Sequence, residues 1–223
     1  QPLLPLTVVV GLPRPQTAKK LLHDLASLGV DRIVFFEAEK GDPSYAQSSL
    51  WREDAWREPL RKGAEQACSA QTPDILHETT LSRALAHVAP DAWKVSLDPY
   101  VSCGPLGAAS KKFPAGGLAL GPERGWSEVE RRLLAEQGFT PYHLGDRILR
   151  VETAAIAGVG LMLAGLGVWQ AHRPLIDIAP GGSAARDLRE LASAIEALPP
   201  ASASAGGLAF FVERLALDAG RQA

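Results

Sequence analysis

Cysteine is nearly absent. Cys68 and Cys103 are the only two in 223 residues, so no disulfide framework is implied and a reducing compartment fits. There is no CxxC pair, and the histidines at 23, 77, 87, 143 and 172 are scattered, so no metal site is expected. QPLLPLTVVV at the start is too short to span a bilayer and carries no basic segment, so neither a membrane anchor nor a signal peptide is read there. Nor does one charge dominate: 23 Lys and Arg against 25 Asp and Glu leave a net charge of −2. Phosphate contacts are made by Lys and Arg, so this balance argues against a broad nucleic-acid footprint and leaves room for a local basic patch. Position 1 is not Met, which is read as a processed or truncated start, and no internal repeat is visible.

What is present suits a packed domain. Hydrophobic residues make up 46% of the chain, enough for a sizeable core, and the length allows one large domain or one domain with an appendage. Residues 6–10, LTVVV, read as a buried strand. The segment 17–30, TAKKLLHDLASLGV, places apolar residues at 18, 21, 22, 25 and 28 on one helical face, with Thr17 as N-cap and Gly29 as stop. DRIVFFEA follows as a second buried strand. Strand, helix, strand at this spacing is a βαβ unit, so the sheet is parallel. GDPSYAQSSLW reads as a polar loop, residues 52–73 as one long solvated helix, DILHETTLSRALAHV as a short strand and helix, and WKVSLDP as another strand. A loop rich in Gly and Lys follows, in which Lys111 and Lys112 face an anion or solvent. Beyond Trp169 the composition changes. Amphipathic helices are expected over 183–198 and 208–220, joined by a Pro, Ala and Ser linker. The domains expected are therefore 1–172 and a helical C-terminal extension, 173–223.

The chain is organised around residues 118–163. LALGP is an apolar strand running into Gly121 and Pro122. Ser127 and Glu130 form a capping box that opens a helix over SEVERRLLAEQ, and Gly138 ends it. YHLGDRILRVETAAIAG then leads into a buried, alanine-rich helix. Two loops, 121–127 and 144–154, face each other. Gly121, Gly125 and Gly145 can each take positive φ or bring bare backbone to a ligand; the alternative for each alone is an ordinary turn.

GPERGWS followed by LGDRILRVETAA resembles the signature of the RsmE family, bacterial 16S ribosomal RNA uridine-N3 methyltransferases of the SPOUT superfamily. The family pattern is GPEGG-[FLW]-S, then LG-x-x-ILR-x-ETA; the sequence matches it except at Arg124, which replaces a glycine. The likeness is strong over 118–157 and weaker back to about residue 6. Pro13-Arg14, Leu28-Gly29-Val30 and Lys40 occupy matching places, while Asp24 and Ser27 replace a Lys and a Glu. The family also carries a PUA-like β-barrel ahead of the knot domain, which these residues lack.

The resemblance implies a fold and a chemistry. The fold is α/β: a mainly parallel sheet with helices on both faces and a C-terminal trefoil knot, the SPOUT or alpha-beta knot, plus a helical C-terminal tail. The cofactor implied is S-adenosyl-L-methionine, the substrate ribosomal RNA or the small ribosomal subunit, and the assembly a cytoplasmic homodimer with neither membrane nor metal. Leu120, Gly121 and Gly125 would line the adenine and ribose side, with Leu144, Gly145, Ile148 and Leu149 closing over it. Glu123 would accept from a ribose hydroxyl or from loop amides, or act as a carboxylate at a helix N-terminus. Arg150 and Glu152 are the catalytic candidates: an arginine beside the methyl donor would stabilise charge on the uridine oxygens, the alternative being an Arg150–Glu152 ion pair. Thr153 would cap the last helix and, with Ala154, touch the cofactor. If position 124 required positive φ, Arg124 would cost about 1 kcal/mol or more; otherwise it would reach RNA phosphate or an anionic ligand. The other readings are a SPOUT methyltransferase with a different substrate and a catalytically inactive dimeric RNA-binding relative.

Overall fold

A computed structural model describes residues 2–109 and 114–165. The helices expected over 183–198 and 208–220, the whole extension 173–223, and Lys111 and Lys112 lie outside the described residues. Six strands form one sheet: β1 (Leu4–Gly11), β2 (Val30–Phe36), β3 (Asp74–Glu78), β4 (Trp93–Leu97), β5 (Gly116–Leu120) and β6 (Thr140–Tyr142). Their order is β3-β2-β1-β5-β4-β6, and every pairing is parallel.

Alternation along the strands builds two cores. Val8 and Val10 of β1, Ile33 and Phe35 of β2, and Leu118 and Leu120 of β5 pack on one face. Against them lie α1 (Pro15–Ser27), α3 (Arg57–Gln66) and α6 (Val151–Gly165), through residues such as Leu21, Leu60 and Val159. Val9, Val34, Phe36 and Ala119 point the other way, onto α4 (Leu81–Leu85) and α5 (Glu128–Glu136). Central strands buried on both faces are why β1 and β2 read as continuous apolar runs.

Several local expectations change. Thr17 is not the N-cap of α1. The helix starts three residues earlier than that cap implies, at Pro15, whose fixed φ and missing N–H suit the first helical position, with Arg14 as N-cap. Gly29 (φ 75°) and Gly138 (φ 81°) end α1 and α5 as expected. The single helix expected over 52–73 shrinks to Arg57–Gln66. The short α2 (Ser49–Arg52) stops before Asp54, which has φ 54°, and α3 begins at Arg57. Asp54 tolerates that left-handed backbone because its carboxylate is satisfied locally, by the Trp56 indole N–H at 3.1 Å and Arg57 Nε at 3.2 Å. Part of the 41–51 loop is a 3-10 turn, Pro43–Gln47, capped where the Asp42 side chain accepts from the Ser44 amide. The strand β6 was not anticipated. It is only three residues long and contains Pro141, which fits at a sheet edge where no ladder N–H is needed.

The two sides of the sheet diverge at its centre. The chain leaves β1 through α1 towards β2, and leaves β5 through α5 towards β6 at the opposite edge. A crevice outside the carboxyl ends of β1 and β5 follows from that divergence.

Candidate functional site

A cavity of about 470 Å³ occupies this crevice, within the usual size range of small-molecule sites. Its walls come from the exits of β1, β4, β5 and β6 and the first turn of α6. Of the residues expected at a cofactor site, Leu120, Gly121, Glu123, Gly125, Leu144, Gly145, Ile148, Leu149 and Ala154 border it, as do Arg150 and Glu152. Thr153 does not; it is exposed in the first turn of α6, which begins at Val151, so it is not the cap of that helix.

The loop after β5 is rigid for identifiable reasons. The Pro122 carbonyl accepts from the Gly125 amide at 2.8 Å, closing a turn, and Gly125 takes φ 69°. Arg124 sits inside this turn without positive φ, so the strain anticipated for it is not incurred: the residue that needs left-handed backbone is the glycine beside it. Gly121 is needed for space instead. A Cβ there would lie 3.2 Å from the Trp126 amide nitrogen and ring. Trp126 itself is buried, stacked on Phe36 with centroids 6.0 Å apart, and its indole N–H donates to the Leu97 carbonyl at 2.9 Å. The capping box forms as read, with the Ser127 hydroxyl accepting from the Glu130 amide at 3.0 Å and the Glu130 carboxylate accepting from the Ser127 amide at 2.8 Å. The other Glu130 oxygen accepts from the Glu39 amide at 3.0 Å, and Lys40 Nζ donates to the Trp126 carbonyl at 2.7 Å. The exit of β2 is thus tied to the β5 loop.

Glu123 takes one of its open alternatives. It accepts from the Arg14 amide at 3.0 Å and pairs with Arg14 Nε at 3.7 Å, joining the β1 and β5 loops at the start of α1. Arg150 does not pair with Glu152. Glu152 lies 3.7 Å from Lys20 of α1, and Arg150 is exposed on the rim. On the facing loop, Gly145 takes φ 115° and its amide donates to His143 Nδ1 at 3.0 Å, which fixes that nitrogen as the acceptor. Ile148 is 70% exposed, an apolar side chain presented at the mouth.

Sequence reasoning missed one wall. Asp98, at the end of β4, is 3% exposed and borders the cavity. One carboxylate oxygen accepts from the Tyr100 and Val101 amides at 2.9 and 3.3 Å; the other takes Arg131 Nε of α5 at 2.6 Å. That hydrogen bond holds the Arg131 guanidinium above its ordinary pKa. An Asp-Pro pair directly after an apolar strand was the available signal, since an aspartate there accepts from the amides of the turn that follows. Alongside, residues 103–106 and 141–143 interlock: the Cys103 amide donates to the Pro141 carbonyl, His143 to Gly104, and Leu106 to His143.

An open parallel sheet with a rigid, glycine-bordered cavity where its connections diverge belongs to the class of α/β nucleotide- and cofactor-binding domains. More narrowly, the chain belongs to the RNA methyltransferase domain family, which matches residues 1–163. It is 35% identical over 177 residues to the ribosomal RNA small subunit methyltransferase E of Treponema pallidum (strain Nichols), covering 77% of this chain and 66% of that protein. It is 30% identical over 152 residues to the ribosomal RNA small subunit methyltransferase E 1 of Borreliella burgdorferi, covering 68% of this chain and 64% of that one. Among solved structures, it resembles a ribosomal RNA small subunit methyltransferase E from Neisseria gonorrhoeae bound to S-adenosyl methionine. The TM-score is 0.64 at 27% identity, with 72% of this chain and 66% of that one covered. The chain therefore spans just under two thirds of the length of these relatives. Among the described residues no helix is long and apolar enough to cross a membrane, and no group of three or more His, Cys, Asp or Glu could hold a metal ion.

Proposed function

We propose that this chain is an S-adenosylmethionine-dependent RNA methyltransferase acting on N3 of a uridine in 16S ribosomal RNA, in the cytoplasm where ribosomes assemble. The observation that carries the reading is the cavity bordered by both signature loops, 121–127 and 144–154, at the divergence of the sheet. The fit to the cofactor is physical. Leu120, Leu144, Ile148 and Leu149 supply apolar walls for an adenine, while the left-handed glycines Gly125 and Gly145 leave open space where other residues would carry a side chain. Gly121 and Ala154 border the cavity, Thr153 stands one residue outside its rim, and Glu123 borders it as a carboxylate available to a ribose hydroxyl.

When bound, S-adenosylmethionine supplies an electrophilic methyl group on a sulfonium leaving group. The residues of this chain do the rest. Uridine N3 must lose its proton before its lone pair can take the methyl. Arg150, exposed on the rim and not engaged by Glu152, stabilises the negative charge that spreads onto the flanking oxygens. Glu152 borders the same cavity and is assigned the proton from N3.

Two further features belong to this reading. The interlocked segments 103–106 and 141–143, with Gly107 close to Leu161 of α6, support a trefoil knot formed where α6 follows the loop after β4. The outward face of α6, where Ile156 is 41% and Leu161 37% exposed beside Ala157 and Gly160, supports a homodimer packed on that helix. The test is a calorimetric titration with S-adenosylmethionine and its demethylated product, together with methylation of undermodified small subunits. One cofactor site per chain and a product methylated at uridine N3 are expected. Arg150→Ala is expected to bind the cofactor almost normally and lose about 10²–10³ in rate. Unchanged methylation by that variant would remove Arg150 from the mechanism.

A further inference from the structure

A second cavity, of about 220 Å³, lies beside the first on the same edge of the sheet, over the ends of β1 and β2. Arg14, Lys40 and Arg124 border it, with Asp42, Tyr45 and Glu123. Arg14, Glu123 and Arg124 border both cavities and so form the partition between them.

Its charges are only partly balanced by contact. Both carboxylates are already committed: Glu123 to the Arg14 amide and guanidinium, and Asp42 to the Ser44 amide at 2.9 Å. The hydrogen bond to Ser44 holds the Asp42 carboxyl below its ordinary value, with Arg124 adding a smaller electrostatic contribution. Asp42 therefore stays ionised as a structural cap. Lys40 uses one of its three donors on the Trp126 carbonyl, which pins its ammonium at the wall. Arg14 is 67% exposed beyond its contact with Glu123, and Arg124 is exposed at the rim. Three cations face two engaged carboxylates on a chain whose net charge is −2. The lining of this cavity therefore carries an excess of one positive charge.

We infer that the second cavity is a phosphate subsite, which takes a backbone phosphodiester of the RNA strand next to the nucleotide held over the first cavity, with Arg124 as its principal ligand. This rests on the proposed RNA methyltransferase activity and deepens it. A strand laid along the carboxyl edge of the sheet would cross the Arg14–Glu123 partition and bring the adjoining phosphate to the three cations. The guanidinium of Arg124 presents paired donors that match a phosphate. The turn that carries it is closed by the Pro122–Gly125 hydrogen bond, so the backbone from which the side chain reaches out is fixed before binding. Arg124 is also where the sequence departs from its family pattern, so the contact is one this chain adds.

The test is binding of a fluorescein-labelled 12-nucleotide single-stranded RNA to the full chain, by anisotropy, over a salt series. Arg124→Ala should weaken binding about five- to tenfold at low salt. It should also lower the slope of log affinity against log salt by about 0.7, the value for one phosphate contact on a single strand. Arg124→Lys should restore most of the slope, and Arg124→Glu should weaken binding further. An unchanged slope in Arg124→Ala, or no RNA binding by the unaltered chain, overturns the subsite. So does a loss of S-adenosylmethionine affinity in Arg124→Ala with RNA binding intact, because the cations would then serve the cofactor. Cofactor titration of the unaltered chain reports on the methyltransferase reading separately. Normal cofactor binding with an unchanged salt slope rejects the subsite alone, and no cofactor binding rejects the activity.

Discussion

Replacing Glu130 by alanine should cost more than its place on a surface helix suggests. The residue is 4% exposed and its carboxylate joins three segments. One oxygen accepts the buried Ser127 amide at 2.8 Å, the other the Glu39 amide at 3.0 Å. The alanine variant leaves both donors without a partner. The Ser127 amide is enclosed, so its loss falls within about 1–3 kcal/mol. The Glu39 amide lies on an exposed segment that water can reach, so its share is nearer 1 kcal/mol. The Ser127 hydroxyl still caps the helix, so that part of the box survives. The sum is about 3 kcal/mol, which for a domain of this size lowers the melting temperature by roughly 6–12 °C. Glu130→Gln keeps one acceptor but turns a donor towards an amide, and should lose about half as much. Urea denaturation and thermal unfolding followed by circular dichroism would measure both. A loss below about 1 kcal/mol in Glu130→Ala, or equal losses in the two variants, would refute the reasoning, since water would then be replacing the carboxylate in full.

Three other outcomes follow from single contacts. Trp126→Phe should destabilise by about 1–3 kcal/mol, because the buried Leu97 carbonyl loses its indole donor; a chemical denaturation midpoint would show it. Gly63→Ala should cost about 1–3 kcal/mol, since the new Cβ would fall 2.1 Å from the His23 carbonyl oxygen and force α1 and α3 apart; an unshifted melting temperature would contradict that packing. Glu78 accepts from His87 Nε2 and pairs with Arg83 Nε, each at 2.8 Å. The His87 hydrogen bond leads in holding its carboxyl below the ordinary value of 4.5. Its stabilising contribution should therefore be complete above pH 4.5 and fade as pH falls through the lower folded value, and Glu78→Gln should flatten that acid limb of a stability–pH curve.

The sequence was most legible where short-range chemistry decides structure. The Ser127–Glu130 box, the glycine stops of α1 and α5 and the apolar runs of β1 and β2 each follow from neighbours within a turn or from burial on both faces, and all form as read. The errors lie where one residue overrides a familiar local signal or where a distant partner decides. The start of α1 was set by Pro15 rather than by the more familiar cap residue Thr17. The long helix expected over 52–73 breaks because Asp54 finds side-chain partners two and three residues ahead. The edge strand β6 exists only because β4 offers it a partner, and three residues with a central proline carry no periodic signal. At the candidate site, the two glycine loops could be found from their spacing. Asp98 could not be ranked beside them, because its importance depends on Arg131, thirty-three positions later in the chain. The condition under which Arg124 would be strained is not met, because the turn places the left-handed conformation on the adjacent Gly125.

The cavity also bears on how the chain acquires its shape. Its walls run from Arg14 to Ala154, and no two adjacent segments suffice to build it. The pairing that closes it, β6 against β4, brings together residues more than forty positions apart and joins the last strand to the sheet. A chain in which β6 has not docked on β4 therefore lacks part of the cavity wall. Ligand captured there reports completion of the whole described domain. By mass action a ligand present at a hundred times its dissociation constant would add about 2.7 kcal/mol to the global opening free energy rather than stiffening one loop.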